Sequence, residues 1–165
     1  MRRIIQIFFP VAVVAAIAVG AYLLYPRESP EAAFERFLSQ KTDEAFLVLP
    51  LCGAGPEVVP LVVKGVKDPN LPKRRYALAY LGISGKTEAL PVLKKILGDT
   101  KENDVFRADA LEAIHLIDEK IGTNYAKKHS KDSSFLGRVA KEVLAVKHFY
   151  SYRQSRVSLL CNPVD

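Results

Sequence analysis

The chain is poor in the residues that announce chemistry. It has two cysteines in 165 residues, too few for a disulfide scaffold or a Cys-rich zinc module. It has no Gly-x-Ser-x-Gly, HExxH or CxxC pattern, so the common hydrolase, zincin and thiol-redox signatures are missing. Three histidines, His115, His129 and His148, are far apart and lack ligand spacing. Alternating strand patterns are also lacking after residue 27. Charge is in slight excess only: 24 basic against 18 acidic side chains, a net of +6. With 49% apolar residues the chain is not a disordered one.

The apolar residues are unevenly spread. Residues 4–25 carry no charge. As a helix they would span about 33 Å, enough for a hydrocarbon core of about 30 Å. Pro10 and Gly20 are tolerated in such helices, and Tyr22 and Tyr25 suit the headgroup region. Arg2 and Arg3 precede the run, so the positive-inside rule puts the N-terminus in the cytoplasm and the rest outside it. The expected location is a bacterial-type inner membrane, single pass, with an extracytoplasmic domain. The alternative is secretion after cleavage at Ala16-Ile17-Ala18, but the run continues beyond that site to Leu24. The expected domains are an anchor at 1–25, a linker at 26–30, a helical domain at 31–150 and a tail at 151–165.

Beyond residue 25 the net charge is only +4, and a repeat appears. Glu57, Pro60 and Asp68 recur as Glu88, Pro91 and Asp99 at an offset of 31. Arg74, Ala77, Leu78 and Leu81 recur as Arg107, Ala110, Leu111 and Ile114 at an offset of 33, so the turn has grown by two residues. Weaker echoes flank them at 45–49 and 140–144. The pattern predicts first helices at 57–67 and 88–97, with Thr87 as N-cap. Second helices are predicted at 72–83, closed by Ser84-Gly85, and at 105–120, capped by Asp104 and stopped by Gly122. The fold class is all-α: a short α-solenoid of about four antiparallel helix pairs with atypical end units.

These residues resemble HEAT repeats, including the HEAT-like type of the phycobilisome (PBS) lyase family. Pro60, Asp68 and Arg74 follow that spacing, and Pro91, Asp99 and Arg107 follow it apart from the turn insertion. The resemblance implies stacked antiparallel helix pairs, with Asp68, Asp99, Arg74 and Arg107 forming a ladder between units. It implies little about activity, because HEAT repeats serve scaffolds, adaptors and a few enzymes.

The expected role is therefore binding to another protein, with no catalytic activity and no cofactor. The alternatives are an enzyme of the HEAT-like lyase type or a structural scaffold of an envelope complex. Second helices usually line a solenoid's concave face, which nominates Arg75, Tyr76, Tyr80, Asp109 and Glu112 as binding residues. The basic run Lys127, Lys128 and Lys131 suits anionic lipid. Nucleic acid is not expected as a partner of an extracytoplasmic domain. Gly82-Ile-Ser-Gly85-Lys86-Thr87 imitates the end of a phosphate-binding loop, but Tyr80 stands where that loop needs Gly, and a helix precedes it. Asp43-Glu44 and Asp118-Glu119 read as solvated helix ends. Cys52 and Cys161 admit a disulfide closing a long loop or two separate thiols. Nothing in the sequence brings the two ends together, which favours the unbridged reading.

Overall fold

The computed structural model describes residues 28–43, 46–145 and 161, and among these every regular element is helical. The hydrophobic run at 4–25, Glu44 and the tail, except Cys161, lie outside them. No helix among the described residues is long and apolar enough to cross a membrane.

Helix α1 (Pro30–Ser39) starts at Ser29, whose hydroxyl accepts from the Ala32 amide, with Pro30 where its missing N–H costs least. Ala33 and Phe37, four residues apart, are its buried stripe. Helix α2 (Leu49–Ala54) runs into a 3-10 turn at 55–58, where Gly55 adopts φ +75. Helix α3 (Val59–Gly65) follows, shorter than the sequence predicts because this turn takes up the start of its segment. Helix α4 (Arg74–Ile83) ends at Ser84 and Gly85, the latter at φ +64, as read from the sequence. Helix α5 (Leu90–Gly98) is likewise preceded by a 3-10 turn at 87–89. Then come α6 (Asp104–Ile117), α7 (Glu119–His129) and α8 (Phe135–Ala145).

In chain order the helices pair as α1/α2, α3/α4, α5/α6 and α7/α8, and α5 packs on α6 and α7 on α8. The second helices also pack on one another, α4 on α6 and α6 on α8. A row of neighbouring second helices is the signature of a helical solenoid. The stripe expected to bury, Ala77, Leu78, Leu81, Ala110, Leu111 and Ile114, is fully buried. Burial of each large apolar side chain contributes about 2 kcal/mol. Close approach is permitted by glycine: a Cβ on Gly82 would lie 2.8 Å from Ala113 Cα.

Several caps differ from expectation. Thr87 makes no capping bond, because it lies inside the 3-10 turn. Asn103, not Asp104, caps α6 by accepting from the Val105 amide at 2.9 Å. Asp104 instead accepts from the Leu136 amide at 2.8 Å and so ties α6 to α8. Gly122 does not stop α6. It lies within α7, where a Cβ would collide with His115 Cα, and α6 ends at Asp118, whose carboxylate caps α7 at the Ile121 amide.

The ladder implied for Asp68, Asp99, Arg74 and Arg107 also takes another form. Asp68 and Asp99 are exposed and close their own turns, accepting from the Asn70 and Lys101 amides at 2.9 Å. The arginines cap helices: Arg74 Nε donates to Val66 O at 2.9 Å and Arg107 Nε to Leu97 O at 3.1 Å. Each carbonyl belongs to the C-terminal end of the preceding first helix, where carbonyls lack intrahelical partners. Contact between units is made by Arg74, which meets Glu102 of the next turn at 2.8 Å and covers the Phe106 ring.

Cys52 and Cys161 are joined in a disulfide, Cα–Cα 4.8 Å, across 109 residues. This overturns the unbridged reading. It is a long-range pairing that no local sequence pattern encodes.

Candidate interaction face and adjoining cavity

The five residues nominated on the second helices divide into two groups. Arg75 on α4 and Asp109 on α6 form a two-pronged ion pair, Nε to Oδ2 at 2.6 Å and Nη2 to Oδ1 at 2.7 Å. This fork matches guanidinium to carboxylate geometry. The offset of 34 residues is one repeat plus one position, so the pair crosses from one unit to the next. Bonding to Asp109 raises the Arg75 pKa above its ordinary value; burial opposes this, and the Asp109, Glu112 and Tyr76 charges add to it. Arg75, Tyr76, Asp109 and Glu112 are thereby brought together.

Tyr80 faces elsewhere. Its hydroxyl donates to Gly55 O at 3.1 Å, and burial, with Glu57 nearby, pushes its pKa up to about 12. The phenol is therefore neutral throughout the physiological range.

The expected exposed face is in large part a seam between repeats. Tyr80, Asp109 and Glu112 are buried, and Arg75 and Tyr76 are half-buried. The reason lies in α6, whose residues 108–114 are all buried by neighbours on several sides. A polar residue beside an apolar stripe is not automatically at the surface when the helix is central.

The surface positions that recur lie instead on the first helices. Pro60 and Lys64 on α3 match Pro91 and Lys95 on α5, and all four are exposed. Lys127, Lys128 and Lys131 are exposed at the end of α7 and just beyond it. Among the described residues no cluster of His, Cys, Asp and Glu could hold a metal ion.

Sequence reasoning did not anticipate a cavity of about 200 Å³ lined by Cys52, Cys161, Tyr80, Ile83, Ser84 and Lys86. Part of its wall is the segment that imitates a phosphate-binding loop. The wall hydroxyls are committed to backbone carbonyls: Tyr80 to Gly55 O, and Ser84 to Leu81 O at 2.7 Å. The cysteine pair was the one sequence signal pointing here, and it could be read only once the two ends were known to meet.

The arrangement is a series of helix pairs, bound across their seams by arginine. No curated protein and no solved structure matches the chain. The family model described as HEAT repeats matches residues 37–115, the stretch holding both clear repeats and the Arg75–Asp109 seam. That stretch, just under half of the chain, is similar to HEAT repeats.

Proposed function

We propose that this chain is a membrane-tethered protein-interaction module whose repeats lie outside the cytoplasm. The observation that carries the reading is the HEAT-repeat match over residues 37–115, since such repeats generally serve as protein-interaction modules. Two further features support the placement. The charge-free run at 4–25 is long enough to anchor the chain, and a disulfide between Cys52 and Cys161 suits an oxidising compartment. Lys127, Lys128 and Lys131 add basic charge suited to anionic headgroups.

In-cell photo-crosslinking tests the binding role. A photoreactive residue is placed singly at Lys64, Lys95 and Tyr76, and adducts are identified by mass spectrometry. Lys64 and Lys95 occupy equivalent exposed positions in successive repeats, so a partner lying along that face would be captured from both. If none of the three sites yields a defined protein adduct, the binding role fails.

A further inference from the structure

The cavity and the disulfide coincide. Both cysteines line the cavity and both are partly exposed, whereas a purely structural disulfide is usually sealed from thiols. Exposed disulfides are the labile and regulatory ones, because a thiolate must reach a sulfur to exchange. Among the described lining residues Lys86 is the charged one, and its side chain is exposed. The Tyr80 and Ser84 hydroxyls are already bonded to backbone. Among its described lining residues the cavity therefore offers an attacking anion two sulfurs and one cation, with the Glu57 carboxylate near Tyr80 as the opposing charge.

We propose that the Cys52–Cys161 bond is a thiol-exchange site, reached through this cavity by a small anionic thiol and assisted by Lys86. The incoming thiolate attacks one cysteine sulfur, forming a mixed disulfide as the Cys52–Cys161 bond breaks. The displaced sulfur leaves with the bonding pair as a thiolate, which the Lys86 ammonium stabilises. A second thiolate then attacks the mixed disulfide and releases the oxidised thiol dimer. Two thiols are thus oxidised and the protein disulfide is reduced to two thiolates, which take protons from water. The consequence is a reversible tie between the first helix pair and the C-terminal residues. The site is independent of which protein the repeats bind.

The test is reduction kinetics on the full-length, oxidised chain in detergent, with acid quench, alkylation and mass analysis. Reduced glutathione is the anionic probe and cysteamine the cationic one. The rate should be linear in thiolate concentration and insensitive to low urea. Glutathione should be favoured over cysteamine by about threefold relative to the same chain in strong denaturant. Lys86→Glu, at an exposed site, should reverse that preference, and added salt should shrink it in the unsubstituted chain. A rate that saturates with thiol, or climbs steeply with urea, would mean that exchange waits on unfolding and would overturn the proposal. So would a preference indifferent to both Lys86→Glu and salt.

Discussion

At the scale of single residues, the glycines supply a test with opposite signs. Alanine normally stabilises a helix interior over glycine by about 1 kcal/mol. At Gly82 and Gly122 the added methyl meets Ala113 Cα and His115 Cα of the neighbouring helix. Gly82→Ala and Gly122→Ala should therefore destabilise by about 1–3 kcal/mol. Gly98→Ala, with nothing within 4 Å of the new methyl, should be neutral or gain up to about 1 kcal/mol. Urea unfolding of the three variants decides it. Tyr80 gives a second test. Its pKa is raised from 10.0 to about 12 in the folded chain, so its contribution is fully present below pH 10 and is lost as pH rises through about 12. Phenolate absorbance should show a late-titrating tyrosine near pH 12, and Tyr80→Phe should remove that component.

At the scale of elements, the two clear repeats are held by one device used twice. Arg74 and Arg107 reach equivalent helix-end carbonyls over sequence distances of 8 and 10 residues. The two-residue turn insertion is absorbed without losing the cap. The positions differ in what else they meet. Arg74 is buried and paired with Glu102, so Arg74→Met should cost about 3 kcal/mol by stranding a shielded carboxylate. Arg107 is more exposed and its Asp104 contact is longer, at 3.4 Å, so Arg107→Met should cost about 1 kcal/mol. Thermal melts of the two variants should rank in that order. Much of this level was legible in advance. The Pro–Asp–Arg spacing located the helices, and the Ala-Leu-x-x-Leu/Ile stripe identified their buried faces. What could not be read was which partner each polar residue takes. Arg74 and Asp68 keep family spacing, yet the arginine bonds a carbonyl and the aspartate bonds its own turn. Caps were misplaced by one residue at Asn103 for the same reason: Asn and Asp side chains both suit an N-cap, and local geometry chooses. The nominated face failed at Tyr80, Asp109 and Glu112 because helical periodicity shows one buried stripe, whereas α6 is enclosed on several sides.

At the scale of the whole molecule, closure is set by the disulfide. It joins residues 109 apart, and a loop of that size contributes about 3–5 kcal/mol by restricting the unfolded chain. Cys161→Ser should lower unfolding free energy by that order, with the same loss when the unsubstituted chain is reduced. If reduction leaves the urea midpoint unchanged, the closure contributes nothing. The bond also bears on the proposed placement, since disulfides persist best where thiols are oxidised. Under the proposed placement, the charge-free run at 4–25 carries the repeats across the membrane. Topology is thus the claim on which anchor, disulfide and extracytoplasmic binding role all depend. The most direct measurement fuses a phosphatase, active only outside the cytoplasm, after Asp165 of the full chain, beside a parallel fusion to a reporter active only inside. The account predicts activity from the first and silence from the second. The reverse pattern would contradict it.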